Sequence, residues 1–464
     1  PAPVTSAPDT RLPSPHRRRQ RAYPPKPSLV FAGMTKHRLS PSQTFSRRRL
    51  RIRERRRPEL LPLLAVWAVS RAALLWLLTH DTLGIGQVGQ EVHVLYRHWY
   101  ERIAGGDLPG DETTWQYPPG AALVLLAPGA VPGLTYFQAF VALALLADLA
   151  VVLALARAGG DGAWYWTGGL PLLLHTPLAR YDLPVTALAV AALLALYAGR
   201  ARLGGALAGL GALAKGWPLL TLTGTAPGPG TRRSWWSAVA TALGGAAALA
   251  VAFPHTLDFL RHQGGRGVQV ESVGGTLLSL AHLAGWRGQV VYRYGAYEFT
   301  GPFTDAVAAG SLLCTGAAVL WLVVWRVRSP HRSRATPLDA ALAAVLLVTV
   351  TSRVISPQYL VWLLGLAAVC LTARDTTQRP VALLLLPAAV LTSFAYPLLY
   401  GEVLAVSPLG CLLMLARNGL LVAAALLSGR LLWAESAPGV LRVPRSTARG
   451  VAREAAAKSA APVP

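Results

Sequence analysis

Residues 80–120 read HDTLGIGQVGQEVHVLYRHWYERIAGGDLPGDETTWQYPPG, and this stretch decides the fold because it is a polar island between long apolar runs. It carries Asp81, Glu91, Glu101, Asp107, Asp111 and Glu112 against Arg97 and Arg102, the pattern of an acidic loop held at a bilayer surface. Val92, Leu95, Tyr96, Trp99 and Ile103 recur at helical spacing, with Arg97, His98, Glu101 and Arg102 on the other side. That spacing predicts a short amphipathic helix lying in the interface, its aromatic rings at headgroup level. Trp115-Gln116-Tyr117-Pro118-Pro119-Gly120 then closes the loop, because paired prolines halt an incoming helix and preset the start of the next apolar run.

Outward from this loop the chain is apolar. Of 464 residues 53% are hydrophobic and 14% charged, and the mean hydropathy of +0.41 excludes an ordinary soluble protein. The run 60–79 is long enough to cross about 30 Å of hydrocarbon. It carries Arg71 near its middle, which insertion costs of about 3 kcal/mol direct toward the protein interior or a polar cavity. Further apolar stretches follow at 119–133, 136–157, 163–178, 183–199, 203–224, 235–254, 305–327, 337–351, 356–372, 379–398 and 403–433. The expected architecture is an all-α, polytopic transmembrane bundle of about 11–13 helical elements over residues 59–434, with the interfacial helix in its first outer loop. Cys314, Cys370 and Cys411 all lie inside apolar runs, so neither a disulfide framework nor a thiolate metal site is indicated.

The net charge of +23 is concentrated in the two ends of the chain and in short loops, which is a topological signature rather than one of nucleic-acid binding. Residues 1–58, rich in Pro, Ser and Arg and closing on RRRLRIRERRRPE, are expected to be a disordered cytoplasmic tail touching anionic lipid. The run after them is span-length and lacks a small-residue cleavage site, unlike a cleavable signal peptide; the chain begins at Pro1, and Met34 is a candidate start. Residues 435–464 are expected to be a second disordered cytoplasmic tail. With Arg200, Arg202, Arg232, Arg233, the cluster 325–334, Arg374 and Arg379 also inside, loops 80–118 and 255–304 share the outer face. The count of crossings then requires 203–224 to be a re-entrant pair of half-helices around Lys215-Gly216-Trp217-Pro218, and one element between 119 and 178 to stop short of crossing. Broken helices are tolerated where the backbone lines a cavity, so this parity points to a site.

Five phrases in order, EVHVLYRHWYERIAGGDLPGDETTWQYPPGAAL at 91–123, ARYDLP at 179–184, LAKGWPLL at 213–220, RGVQVES at 266–272 and SRVISPQYLVWLL at 352–364, resemble the GT-C superfamily of integral-membrane glycosyltransferases and, within it, glycosyltransferase family 87. The family includes actinobacterial mannosyltransferases that use polyprenyl-phosphate mannose. The resemblance implies an inverting hexosyltransferase of the cell envelope. It would move mannose, or another hexose or a pentose, from a polyprenyl-phosphate donor to a lipid or glycan acceptor at the outer face of the cell membrane. The family usually shows aspartate in the first loop near the end of the first span, where this chain has Glu91, with Asp111 further on, so either carboxylate is a candidate base.

The residues support that chemistry. A lipid phosphate is already a good leaving group, so the enzyme needs a carboxylate to take the acceptor proton and cations to hold the departing phosphate. Glu91 and Asp111 are the candidate catalytic residues. Arg180, Asp182, Lys215, His262, Arg266, Arg353 and Gln358 are the candidate donor-phosphate and substrate-binding residues. Five of them have a plainer reading: Glu91 as an acidic residue at a helix N-terminus, Arg180 and Asp182 as a helix end, Arg353 as an interfacial anchor, and Arg266 paired with Glu271. Asp148 and Arg417, single charges within spans, read as internal packing partners. No HExxH, Walker loop or clustered ligand set is present, and neither metal nor cofactor is expected. The competing class is a polytopic transporter or lipid flippase of envelope biogenesis, for which broken helices and intramembrane cations serve equally; an inert envelope scaffold is the third.

Overall fold

The computed structural model describes residues 58–436, apart from residues 82, 84–87, 263 and 264 and the side chains of residues 261 and 262. The expected tails fall almost wholly outside the described residues. Sixteen α-helices follow one another: α1 (Leu60–His80), α2 (Arg97–Ala104), α3 (Ala121–Leu126), α4 (Tyr136–Ala158), α5 (Gly162–Gly169), α6 (Asp182–Tyr197), α7 (Ala201–Ala214), α8 (Pro229–Ala252), α9 (Phe259–His262), α10 (Val273–Leu283), α11 (Thr304–Arg328), α12 (Thr336–Thr351), α13 (Tyr359–Cys370), α14 (Arg379–Ser393), α15 (Tyr400–Leu404) and α16 (Pro408–Ser436). Helices α1, α4, α8, α11 and α16, and the segment Arg379–Leu398 that contains α14, are long and apolar enough to cross a membrane. The excess over the expected 11–13 elements comes from short pieces such as α2, α9 and α15.

The molecule is a multi-pass helical bundle, but it is not helical throughout. The loop 255–304 holds a three-stranded antiparallel sheet in the order β1 (Val268–Gln269), β3 (Ala296–Thr300), β2 (Gln289–Arg293). Strands β2 and β3 are joined by Tyr294-Gly295, both with positive φ (53° and 73°), the two-residue turn whose twist matches a hairpin.

Helices α7 and α8 pack side by side and run parallel: Gly205 lies against the backbone of Ser234 and, one turn on, Gly209 against that of Ala238. The approach is so close that a Cβ on Gly205 would stand 2.0 Å from the Ser234 carbonyl oxygen. Two consecutive parallel helices require the chain to return between them, and it does. Lys215 leaves the helical region (φ −161°, ψ 110°), Pro218 folds back over Gly211, and Leu222 joins Ala192, Ala208 and Ala238 in one cluster. Segment 203–224 is therefore a hairpin with Lys215 at its tip, the reversal that the basic loops demanded. Segment 119–133 likewise stays at one end, because the Gly120 N–H donates to Leu213 O (2.8 Å) beside that tip and Gly129 lies under the Tyr100 ring of α2.

Basic loops gather at the opposite end. Arg326 donates to Thr223 O, Arg332 to Gly224 O (3.1 Å), Arg334 to Tyr197 O (3.3 Å), and Arg379 pairs with Asp161 (2.8 Å). Loops 80–118 and 255–304 meet at the tip end, where Gly110 lies directly against His255.

Arg71 of α1 faces inward. It grips Asp148 of α4 through Nε (2.8 Å) and Nη2 (3.0 Å) and donates through Nη1 to Thr167 O of α5 (2.7 Å). Indole N–H groups of Trp67 (2.6 Å) and Trp166 (2.7 Å) complete the Asp148 carboxylate. Removing one partner of a buried pair leaves an uncompensated charge, so Arg71→Met should cost about 3–5 kcal/mol, and adding Asp148→Leu should recover most of it. Thermal unfolding of the two variants in detergent measures this; equal melting temperatures would mean the pair is not what joins α1 to α4.

Candidate active site

Two adjacent cavities of about 400 and 390 Å³ lie at the tip end. Glu91, Gly295, Ala296, Ser356 and Gln358 belong to both. Lys215 and Arg266 line the first, with Trp217, Tyr359 and Trp362 as its aromatic wall. Arg180, Gln269 and Glu271 line the second, with Tyr292, Tyr396 and Tyr400.

Glu91 opens a π-helical turn (Glu91–Tyr96) that runs straight into α2. Of the five residues the spacing named, Val92, Tyr96, Trp99 and Ile103 are buried and Leu95 is half-buried, but the rings of Tyr96 and Trp99 pack inside the protein rather than at headgroup level, Trp99 edge-on to Trp115 (5.2 Å) and Tyr117 (5.5 Å). Upstream, Asp81 caps α1 in a left-handed conformation (φ 40°) and accepts from the N–H groups of Val88 (3.2 Å) and Gly89 (2.8 Å) and from His175 Nε2 (3.0 Å). Asp81 thus fixes the chain immediately before Glu91. Nothing in the sequence marked this role, since His175 lies 94 positions away.

The other acidic residues of the loop are occupied among themselves. Arg102 gathers Asp107, Asp111 (2.8 Å) and Glu112 (2.9 Å), and Glu112 also accepts from His98 (2.8 Å) and Trp99 Nε1 (3.0 Å). Burial pushes the Glu112 carboxyl up, but hydrogen bonds from His98, Arg102 and Trp99 outweigh it and hold the group below its ordinary value. Asp111 is likewise held low, its slight burial outweighed by Arg102. Asp111 is 67% exposed and lines neither cavity, whereas Glu91, 28% exposed, lines both.

Arg180 follows a 3-10 turn (Thr176–Ala179). Its guanidinium donates to Ala179 O (2.9 Å), Val88 O (3.2 Å) and the Tyr396 hydroxyl (3.0 Å), and stands 3.7 Å from Glu91 Oε2. Asp182, at the start of α6, accepts from Lys215 Nζ (2.7 Å) and Trp362 Nε1 (2.6 Å). Lys215 Nζ is ringed by Tyr181 (4.6 Å), Trp362 (5.0 Å), Tyr117 and Tyr359 (both 5.8 Å). Asp182 stands behind Lys215 as its counter-charge and lines neither cavity.

Arg266 lines the first cavity and, among the described residues, its Nε is buried without a partner. The expected Arg266–Glu271 pair is not formed: Glu271 belongs to the second cavity, where its Oε2 accepts from Gln269 Nε2 (3.1 Å). The turn carrying Glu271 is clamped from α16, Arg417 donating to Glu271 O (2.8 Å) and Asn418 to Ser272 O (3.2 Å). Arg417 is thus an internal packing partner. Gln358 reaches both cavities; Arg353 belongs to the same loop, its carbonyl accepting the Gln269 N–H (3.0 Å), without lining either. The His262 side chain lies outside the described residues. Among the described residues no three His, Cys, Asp or Glu side chains converge to hold a metal.

A search of curated proteins returns no match. The sequence profile of glycosyltransferase family 87 matches residues 115–357, more than half of the chain, from the turn that closes the acidic loop through Arg180, Lys215 and Arg266 to Pro357. Helices long enough to cross a membrane, a cavity pairing a carboxylate with cations, and that match agree: the chain belongs to glycosyltransferase family 87, the membrane glycosyltransferases of GT-C type.

Proposed function

We propose that the protein transfers a sugar, mannose by family resemblance, from a polyprenyl-phosphate donor to a hydroxyl of a lipid or glycan acceptor, with Glu91 as general base. The observation that carries this reading is that Glu91 lines both cavities, with Lys215 and Arg266 on one side of it only. The donor phosphate lies in the first cavity against Lys215 and Arg266, and the acceptor enters the second, beside Glu271. Lys215 adjoins Leu213 and Ala214, which line an apolar groove of about 350 Å³ with Leu123, Phe140 and Leu188; the isoprenoid chain runs there.

In the transfer step the acceptor oxygen bonds the anomeric carbon as the bond from that carbon to phosphate oxygen breaks. The electron pair leaves with the phosphate, whose charge Lys215 and Arg266 meet, and the acceptor proton passes to Glu91. A single displacement inverts the anomeric centre. Arg180, 3.7 Å from Glu91, orients the carboxylate toward the acceptor hydroxyl.

Incubating the purified protein with labelled polyprenyl-phosphate mannose and a lipid or glycan acceptor should yield a new glycoside and free polyprenyl phosphate. Movement of the donor between leaflets without product would instead establish the flippase reading. The cavity end faces outward in this scheme. With Cys314 replaced by Ser, cysteines at the exposed positions Thr113 and Gln289 should react with an impermeant thiol reagent on intact cells, and one at exposed Arg200 only after lysis. The reverse pattern would place the cavity inside the cell.

A further inference from the structure

At the end of the bundle opposite the active site, a cavity of about 500 Å³ is lined by Arg202 of α7 and by Pro229, Arg232, Arg233, Trp236 and Ser237 of α8. We propose that it is a binding site for the phosphate headgroup of an anionic phospholipid, held by Arg202, Arg232 and Arg233.

Three features carry this. All three arginines are exposed, and among the described residues none makes an ion pair or donates a side-chain hydrogen bond within the protein, in contrast to Arg326, Arg332, Arg334 and Arg379 at the same end. Guanidinium groups gathered without a counter-charge repel one another, and a multidentate oxyanion removes that cost through charge-assisted hydrogen bonds. The cluster is also held in place rather than carried on a loop. The close α7–α8 contact at Gly205 and Ser234 lies next to it, and Ser237 Oγ donates to Arg202 O (2.8 Å) across the two helices.

The third feature identifies the occupant as a lipid. Helix α8 is a candidate span with little of its apolar length buried in the protein, and Leu243 and Val251 on it are exposed, so its free face is turned to hydrocarbon. Trp236, 69% exposed at the mouth of the cavity, stands where an indole sits at headgroup level. A phosphate held by the arginines leaves its acyl chains free to lie along α8. Basic pockets between spanning helices take anionic headgroups on this physical basis.

The test uses the full-length protein in nanodiscs of phosphatidylcholine alone or with phosphatidylglycerol, read by thermal unfolding and by native mass spectrometry of retained lipid. Wild type should retain phosphatidylglycerol and melt several degrees higher in its presence. The triple variant Arg202→Gln/Arg232→Gln/Arg233→Gln should lose both effects. A charge-matched control at exposed positions of the same end, Arg157→Gln/Arg328→Gln/Arg430→Gln, should keep them. Equal loss in the control would reduce the effect to net charge and overturn the site, and so would retention by the triple variant. Full stabilisation of wild type by inorganic phosphate in phosphatidylcholine discs would show that the ligand is a free anion. Co-purified nuclease-sensitive RNA, or a retained mass matching polyprenyl phosphate, in place of phospholipid would overturn the assignment equally.

Discussion

Glu91→Gln is expected to lower kcat for sugar transfer by about 10²–10⁴-fold, the usual worth of a general base, while donor KM changes little. The amide keeps the shape of the carboxylate and can still accept a hydrogen bond, but it cannot take a proton from the acceptor hydroxyl. Arg180 keeps three other contacts, to Ala179 O, Val88 O and Tyr396, so the substitution should not unseat it. Asp111→Asn is the control. Asp111 is exposed and, among the described residues, paired with Arg102 alone, and a surface pair contributes about 0–1 kcal/mol, so turnover should stay near that of wild type. Steady-state kinetics with separate donor and acceptor titrations decide the matter. Loss of turnover in Asp111→Asn with retention in Glu91→Gln would move the base to Asp111, and normal turnover in both would remove the carboxylate mechanism.

How much of this was legible in the sequence depended on how far apart the deciding residues lie. Spacing alone identified the buried face of the interfacial helix, because Val92, Tyr96, Trp99 and Ile103 follow the local helical repeat. The charge distribution located the reversal at Lys215, since Arg200 and Arg202 must share an end with Arg232 and Arg233. Arg71 and Asp148 were each recognised as inward-facing, because a charge in a span has nowhere else to go. Partners set by the tertiary fold were not legible. Glu271 looked like a loop carboxylate near Arg266, and only the clamp from Arg417, 146 positions away, draws it into the second cavity instead. The Asp81–His175 contact crosses 94 positions in the same way. The hairpin β2–β3 is not legible for a local reason: Tyr-Gly is a weaker turn signal than Asn-Gly. Val406, with φ of 51°, separates α15 from α16 within what reads as one apolar run at 403–433, because the run's hydropathy is insensitive to a single backbone reversal.

Lys215→Met should abolish most transfer and also weaken the fold, and the two effects are separable. Removing a preorganised charge donor from a reacting centre typically costs about 10²–10³-fold in kcat, here because the departing phosphate would keep Arg266 alone among the two cations of the first cavity. The structural effect arises behind the lysine. Asp182 is 1% exposed, and without Lys215 its carboxylate keeps only the Trp362 indole N–H, so an uncompensated buried charge remains at a cost of about 3–5 kcal/mol. Adding Asp182→Asn removes that charge while leaving an acceptor for Trp362. The double variant Lys215→Met/Asp182→Asn should therefore recover most of the lost melting temperature and none of the lost turnover. Lys215→Arg keeps the charge, but its planar guanidinium must fit among Tyr181, Trp362, Tyr117 and Tyr359, so activity should fall between that of wild type and Lys215→Met. If turnover returned together with stability in the double variant, the ammonium would be no more than the counter-charge of Asp182, and the phosphate would have to be held by Arg266 without it.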